Sequence, residues 1–407
     1  MKQLNKIYLV CGALFFSLLP TAQANYKAKA EETMNFIQAN LYDEKAKLYH
    51  PAVPLKEKEL PYDFMWGNGV QFSALVGATR HNPQKYKPLM YAFAEGLKKY
   101  WDAQAPIPGF DAYFASPTDD DKYYDDNAWL VLGFAEAYEL TKDPMFLDWA
   151  RRAHKFVLSG WDEKLGGGIY WRPDQKSKNT CVSAPAAVSA LRLYHLGDKD
   201  QLQWAQRLCT WTNNTLQDKD GLFWDNISTE AKNIGQIEKT KWTYNTALML
   251  RANIGLYKVT KDAKYLLEAR RMADAGLKKW TDPQTGGFAD EAKFNHLWSE
   301  ALLELYEATK DLKYLNAVRR DADFAWRYVR DPNGGFWNKW RKGNRSGDER
   351  KTMIENAAPA RLFWLLAPYL DVEELRAAGE KSLQVGDHRK AADFFQQALE
   401  STSDIGN

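Results

Sequence analysis

Cysteine and histidine are scarce in this sequence, and neither sign of charge predominates. The 407 residues include three Cys and six His, and 55 Lys and Arg stand against 53 Asp and Glu. The histidines are scattered and no Cys-x-x-Cys pair occurs, so the pattern predicts no metal site. A formal net charge of +2 argues against the strongly basic surface that binds nucleic acid, and we expect no nucleic-acid partner.

Long apolar runs are also scarce, and the one that stands out lies at the start of the chain. Lys2 and Lys6 open an apolar run over residues 7–19, and Ala-Gln-Ala follows at residues 22–24. This order is typical of a secretory signal peptide, and the run is too short for a helix that stays in a membrane. We predict a signal peptide over residues 1–24 and an exported protein, periplasmic or extracellular, with no membrane anchor after cleavage.

The chain that remains after cleavage keeps two cysteines, Cys181 and Cys209. An oxidising compartment would allow them to form a disulfide, and buried free thiols are the alternative. The sequence separation does not place their Cα atoms. We favour free thiols.

Aromatic residues are abundant. The sequence contains 16 Trp, 21 Tyr and 19 Phe. Aromatic faces stack on nucleobases and on sugar rings. Because no excess positive charge accompanies them, the composition favours carbohydrate over nucleic acid.

A repeat runs along the chain, in which helical stretches alternate with short loops rich in glycine and aromatic residues. Six runs rich in Ala and Leu are predicted at residues 69–77, 128–141, 184–196, 246–259, 297–309 and 357–367. The segments that open them end at Asn68, Asn127, Ser183, Asn245, Asn295 and Asn356, so the period is 50 to 62 residues. Between them lie more polar amphipathic helices, near residues 26–41, 85–101, 144–158, 200–215, 263–280 and 312–329.

This period indicates a repeat architecture of six helical hairpins. Helices with one apolar stripe suit an outer layer, and the Ala- and Leu-rich helices suit an inner layer. We predict an all-α fold, an (α/α)6 toroid over about residues 25–370, with an open solenoid as the alternative. The glycine- and aromatic-rich loops all lead into inner helices, so they should share one mouth of the ring.

Residues 371–407 form a separate tail. Its small and aromatic residues match the spacing of a single tetratricopeptide repeat, and one repeat cannot build a solenoid. We expect a helical hairpin packed on the toroid, and a site for a protein partner is the alternative. The matching residues are Gly379, Gly386, Ala391, Phe395 and Ala398.

Two adjacent carboxylates, Asp125 and Asp126, open the second inner helix at the predicted mouth, with Tyr124 before them and Trp129 after. Neighbouring carboxylates repel, so one pKa should be raised. Cleavage of a glycosidic bond uses one protonated and one ionised carboxyl, and a spacing of about 5 Å is that of retaining enzymes. Asp is also a common helix cap, which is the structural alternative. The aromatic setting favours catalysis.

The residues around this pair carry a resemblance to a known family. Tyr124-Asp-Asp-Asn-Ala-Trp129, Gly166-Gly-Gly-Ile-Tyr-Trp171 and Ala184-Pro-Ala-Ala187 resemble the family 76 glycoside hydrolases, the endo-α-1,6-mannanases, over about residues 25–370. The resemblance implies cleavage of α-1,6-mannosidic bonds in mannan or mannooligosaccharides with retention and without a cofactor. It implies Asp125 as the nucleophile and Asp126 as the general acid/base. Residues 180–183 depart from the family pattern.

Seven further residues are predicted to contact the substrate. Aromatic rings can stack on a pyranose, and carboxylate and amide groups can bind its hydroxyls. Core packing and helix capping are the alternatives for each of them. The candidates are Trp66, Asn68, Tyr124, Asp225, Tyr244, Asn245 and Phe294.

Other functions remain open at this point. A toroidal sugar enzyme of another kind, such as an unsaturated uronyl hydrolase or a transglycosidase, is one alternative. A sugar epimerase is disfavoured because its paired histidine bases are missing: only His296 lies near the start of an inner helix. A non-catalytic glycan-binding protein is the other alternative.

Overall fold

A computed structural model describes the chain over residues 25–114, 121–344 and 350–402, so the predicted signal peptide lies outside the described residues. Helices dominate these ranges. They are α1 (Tyr26–Asn40), α2 (Met65–His81), α3 (Pro83–Leu97), α4 (Tyr124–Thr141), α5 (Pro144–Ser159), α6 (Thr180–His195), α7 (Gln201–Leu216), α8 (Thr243–Thr260), α9 (Ala263–Trp280), α10 (Ala292–Thr309), α11 (Leu312–Phe324), α12 (Met353–Leu366), α13 (Val372–Gln384) and α14 (His388–Glu400).

Short strands occur in the loops between the helices. They are β1 (Tyr42–Asp43), β2 (Leu48–Tyr49), β3 (Ala52–Val53), β4 (Trp101–Asp102), β5 (Gly109–Phe110), β6 (Ser177–Asn179), β7 (Asn226–Ser228), β8 (Ile237–Glu238) and β9 (Lys351–Thr352). β1 pairs with β2, β3 with β9 and β4 with β5, while β6, β7 and β8 form a three-stranded antiparallel sheet in that order.

The first twelve helices form two concentric rings. The inner ring runs α2, α4, α6, α8, α10 and α12, and it closes because α12 packs against α2. Each odd-numbered helix packs outside, as α5 does on α4 and α7 on α6. The predicted (α/α)6 toroid is therefore confirmed, and the open solenoid is wrong.

Residue patterns explain which helix lies in which ring. The inner helix α4 is buried almost all round from residue 126 to residue 137. The outer helix α5 buries one stripe only, in which Phe146, Ala150, Ala153 and Val157 recur three or four residues apart. Such a stripe is the pattern of a helix with one face in water. Composition thus sorts the helices into inner and outer layers.

Each inner helix holds the loop before it through the side chain of its fourth residue, a contact that we call the first-turn lock. In α4, Asn127 Oδ1 accepts a hydrogen bond from Phe110 N at 2.8 Å, and its Nδ2 donates to Phe110 O at 3.0 Å. Both backbone groups are buried and need a partner. The other five locks join Asn68 to Asp63 O, Ser183 to Ile169 N, Thr246 to Phe223 N, Asn295 to Phe288 O and Asn356 to Phe336 N.

At one position in the loop before α6, only glycine fits the backbone conformation and the neighbouring side chains. Gly168 has a φ of +87°, and a Cβ atom there would lie 2.4 Å from the ring of Trp211. A side chain would be strained by the backbone and would also collide with the indole. This glycine therefore allows the aromatic residues after it to reach the mouth of the ring.

The C-terminal hairpin, α13 and α14, contacts the toroid at two outer helices. Lys29 of α1 forms an ion pair of 3.6 Å with Asp371, which caps α13. Asn316 of α11 donates to Glu400 at the end of α14 at 2.8 Å. The hairpin thus bridges the first and last outer helices of the ring. The division at residue 371 and a partner for the hairpin stay predictions, and residues 403–407 lie outside the described residues.

Two further expectations concern thiols and membranes. Cys181 and Cys209 are buried and free, so the disulfide alternative is wrong. Across residues 25–114, 121–344 and 350–402, no helix combines the length and the apolar character that crossing a bilayer requires.

The first-turn lock of α4 predicts a loss of stability on substitution. Asn127→Ala removes the partner of two buried backbone groups, and we expect the free energy of unfolding to fall by about 2–4 kcal/mol. Urea unfolding followed by circular dichroism measures the difference. Asn214→Ala, on the exposed side of α7, is the matched control. Equal unfolding midpoints for the two variants would contradict the importance of the lock.

Candidate active site

A cleft of about 470 Å³ opens at the mouth of the ring, where the loops lead into the inner helices. Its volume is in the range of small-molecule binding sites. Six of the nine residues predicted as catalytic or substrate-binding line it. They are Asp125, Asp126, Trp66, Asp225, Tyr244 and Phe294.

Asp125 is the second residue of α4, and its carboxylate is bound by one residue of the loop before α6 and by one residue in the first turn of α6. Oδ2 accepts hydrogen bonds from Trp171 Nε1 at 3.2 Å and from Cys181 Sγ at 3.5 Å. Burial raises the pKa of Asp125 to about 6, against the lowering effect of the indole, the thiol and nearby backbone N–H groups. The carboxyl of Asp125 is therefore ionised above mildly acidic pH.

Asp126 follows in the same turn and has a different environment. It is 7% exposed, and no described side chain donates a hydrogen bond to its carboxyl. Burial raises the pKa of Asp126 well above the usual range, and the charges of Asp125, Asp121 and Asp63 raise it further. The two carboxyls therefore have different pKa values, with that of Asp126 raised further, a division that suits acid/base chemistry.

Asp63, which the sequence did not single out, is a third buried carboxyl near the pair. Its own pKa is raised by burial, and its Oδ1 accepts a hydrogen bond from Phe64 N at 3.0 Å. Gly67 leaves room for it, because a Cβ atom there would lie 2.1 Å from Asp63 Oδ2. In the sequence, Asp63 looks like an ordinary residue before a helix.

Three aromatic side chains from different inner helices form the floor of the cleft. Tyr244 of α8 and Phe294 of α10 stack with centroids 4.3 Å apart and planes 7° apart. Trp66 of α2 stacks on Phe294 at 5.4 Å. The three rings meet at the centre of the toroid, so they contact one another as well as the cleft. We call this stack the aromatic floor.

A charged network lies on the other side of the aromatic floor. Arg361 forms ion pairs of 2.9 Å with both Glu136 and Glu300, and Arg251 pairs with Glu300 at 3.0 Å. His296 lines a small cavity there together with these residues, and burial lowers its pKa to about 3. His296 is thus neutral and separated from the cleft, so its position does not suit the histidine chemistry of an epimerase.

Asn245 and Asn68 are buried behind the cleft. Asn245 Nδ2 donates to Asp225 Oδ1 at 3.2 Å, and Asn226 Nδ2 donates to Asp225 Oδ2 at 2.9 Å, so these amides orient the Asp225 carboxylate. Asn68 belongs to the first-turn lock of α2. Both Asn68 and Asn245 are fully buried, which corrects the prediction that they contact the substrate directly.

Tyr124 also lies outside the cleft. Its ring stacks on Phe156 of the outer helix α5, with centroids 4.8 Å apart. Burial raises the pKa of its hydroxyl. The first residue of α4 therefore anchors the helix to the outer layer, and the prediction of a substrate contact at Tyr124 is corrected.

Several cleft residues were missed by the sequence analysis. Trp171 is the most prominent, since it is 40% exposed and also binds Asp125. It ends a glycine-rich motif that resembles the family pattern, which was the signal available in the sequence. Within the described ranges, no three His, Cys, Asp or Glu side chains converge as they would to hold a metal ion. The other missed residues are Phe64, Ala112, Tyr113, Tyr123, Ser177, Asn179, Cys181, Asn226 and Trp242.

Comparison with known proteins agrees with this geometry. A structure of a family 76 α-mannanase from Bacteroides thetaiotaomicron superposes with a TM-score of 0.79 and 26% identity, covering 85% of this chain and 96% of that chain. An inactive variant of an α-1,6-mannanase from Salegentibacter sp. HEL1_6, with two aspartates replaced by asparagine and α-1,6-mannotriose bound, shares the fold. Its TM-score is 0.72 at 22% identity, over 84% of this chain and 99% of that chain.

A curated relative is similar in sequence over a shorter region. It is a mannan endo-1,6-α-mannosidase of Candida albicans, 28% identical over 195 residues, which are 41% of this chain and 42% of the relative. The chain spans about half the length, or less, of the curated relatives that it matches. The family model of glycosyl hydrolase family 76 matches residues 21–358. The resemblance noted in the sequence is confirmed, and the chain belongs to glycosyl hydrolase family 76.

Proposed function

We propose that this chain hydrolyses α-1,6-mannosidic bonds inside mannan chains, with retention of anomeric configuration. The observation that carries the proposal is the pair Asp125 and Asp126, which share one cleft yet have different surroundings: Trp171 and Cys181 donate to Asp125, whereas burial and neighbouring carboxyls raise the pKa of Asp126. The bond type and the polymer are those in the names of the relatives from Salegentibacter and Candida albicans.

The proposed reaction has two steps. The ionised Asp125 attacks the anomeric carbon while Asp126 gives its proton to the glycosidic oxygen, so the leaving sugar departs as an alcohol. Asp126, now ionised, takes a proton from water. That water attacks the anomeric carbon of the ester to Asp125 and releases the sugar with its original configuration.

Neighbouring side chains fit these two roles. Trp171 and Cys181 donate hydrogen bonds to the charged form of Asp125, which keeps it ionised despite burial. Among the described side chains none donates a comparable hydrogen bond to Asp126, and the nearby carboxyls favour its proton. Asp225, held by two amides, presents a carboxylate that can accept hydrogen bonds from sugar hydroxyls.

The first test removes the nucleophile without changing its shape. We expect Asp125→Asn to lower the rate of reducing-end release from linear α-1,6-mannan by roughly 10³-fold or more, which is about 4 kcal/mol of transition-state stabilisation. Proton NMR of the wild-type reaction should show the α-anomer released first. Asp148→Asn on the exposed face of α5 is the control and should keep full activity. Equal rates for the three proteins would contradict the role of Asp125.

A second test uses the hydrogen bond from Trp171. Trp171→Phe removes a donor to the charged form of Asp125, so the pKa of this carboxyl should rise. The nucleophile must be ionised. When the pH is lowered, the activity of the variant should therefore begin to fall at a higher pH than the activity of the wild type. We expect the acid limb of the pH–rate profile to move up by about one pH unit.

The control for this shift is Trp242→Phe. Trp242 lines the same cleft and packs on Phe294. Its substitution should change the rate without moving the acid limb. Identical acid limbs for Trp171→Phe and the wild type would show that the indole does not set the protonation of Asp125.

Export through the predicted signal peptide is part of the same proposal, since a mannan polymer is met outside the cytoplasm. Cleavage after residue 24 would leave Asn25 as the first residue, and its side chain caps α1 by accepting from Ala28 N at 3.0 Å. We expect N-terminal sequencing of the exported protein to begin at Asn25. Leu14→Arg in the apolar run should retain the precursor inside the cell, and unchanged export of this variant would contradict the signal.

A further inference from the structure

A second groove, of about 480 Å³, lies beside the cleft over the sheet of β6, β7 and β8. Three residues, Trp171, Ser177 and Asn226, line both the cleft and this groove. The two depressions therefore adjoin each other. A ligand that fills the cleft and is longer than the cleft has a path onto the sheet.

The sheet gives the groove a polar floor. Ser177 lies opposite Ser228, and Asn179 lies opposite Asn226. Alternate residues of a strand point to the same side, so these four share one face. Asn179 lies at the cleft end and Ser228 at the groove end. The first and third residues of a strand lie about 7 Å apart, which is longer than one sugar ring.

The chemistry of the groove fits a neutral glycan. Hydroxyl and amide groups, including the exposed side chain of Gln236, can donate to and accept from sugar hydroxyls. Trp171, 40% exposed, stands where the cleft and the groove meet and offers an aromatic ring.

Most charged side chains at the rim of the groove have a partner within the protein, and Glu238 accepts hydrogen bonds from Thr240 N at 3.1 Å and Thr240 Oγ1 at 2.8 Å. Lys176 forms an ion pair with Asp174 at 3.1 Å, and Lys232 forms one with Glu230 at 3.4 Å. Arg172 lies over the ring of Tyr123 at 4.7 Å. The rim therefore carries charges of both signs, two basic against three acidic side chains, and neither sign predominates strongly.

Another depression, of about 520 Å³, lies between α7 and residues 161–166 and provides a contrast. It shares no lining residue with the cleft. Arg207 lies 4.8 Å from the ring centre of Trp161, so this indole is already in contact with a cation. This depression offers a place for control substitutions of the same kind, such as Gln203.

We propose that the groove over β6, β7 and β8 binds further sugar residues of the same glycan chain whose scissile bond lies at Asp125 and Asp126. This inference rests on the proposed function. The groove lengthens the binding site on the side of the sheet, so a long glycan gains contacts that a short glycan lacks. The enzyme should then prefer long mannooligosaccharides to short ones.

The test compares defined linear α-1,6-mannooligosaccharides of two lengths, mannotetraose and mannooctaose. Gln236→Trp places a bulky ring in the groove at an exposed position, so folding should be unaffected. We expect kcat/KM of the wild type to be higher on the octaose. We expect Gln236→Trp to lower kcat/KM on the octaose about tenfold while leaving the tetraose within about twofold, and Gln236→Ala to show the same pattern in weaker form.

Gln203→Trp in the depression beside α7 is the matched control and should leave both substrates unchanged. The groove proposal is overturned if Gln236→Trp affects both lengths equally or neither length, or if Gln203→Trp reproduces its effect. Failure of the proposed function looks different, since the wild type would then release no sugar from either oligosaccharide.

Discussion

The mouth of this toroid depends on the hydrogen bond between the fourth residue of each inner helix and the backbone of the loop before it. A loop that packs into a ring of helices buries its own N–H and C=O groups, and those groups need partners. In α4, Asn127 supplies partners to both groups of Phe110. The same contact fixes where the helix begins. Because α4 begins at Tyr124, Asp125 and Asp126 occupy its first turn and lie at the mouth. Loop conformation and carboxylate position are thus set together by one buried amide.

Burial at the mouth of the ring disfavours the charged forms of both carboxyls. The neighbours of Asp125 and Asp126 differ, so the two carboxyls are not affected equally. Trp171 and Cys181 donate to Asp125, while Asp126 has carboxyl neighbours and no donor among the described side chains. Unequal solvation separates the two pKa values, which is what allows adjacent and chemically identical residues to take different roles in the proposed reaction. The aromatic floor contributes by keeping the charged network of Arg361 and Glu300 on its far side. The protonation of the pair is then decided by its immediate neighbours.

The repeat and the acidic pair could be predicted from the sequence because each leaves a local signature. Helical periodicity separates inner from outer helices, and two consecutive aspartates are visible without coordinates. The roles of the polar residues in the first turns of the inner helices were harder to predict, because neighbouring residues on a helix point about 100° apart. Asn245 was chosen as a sugar contact, yet the lock of α8 is made by Thr246 and Asn245 orients Asp225. Moving by one position along the helix therefore changes which contact a polar side chain makes. The contact between Trp171 and Asp125 joins residues 46 positions apart, and no local pattern encodes it.

The third and fourth hairpins break the equivalence of the six units, and this asymmetry gives the site a direction. β6 comes from the loop before α6, and β7 and β8 come from the loop before α8, so the sheet exists on one side of the cleft. Six equivalent loops would surround a symmetrical bowl, which could hold a sugar but would not orient a polymer. A linear glycan has two different ends, and a groove on one side distinguishes the two directions in which the chain could lie. The loop that supplies β6 also carries Trp171, which lies between cleft and groove. In the proposed binding mode, the indole of Trp171 contacts both the nucleophile Asp125 and the glycan chain that runs into the groove.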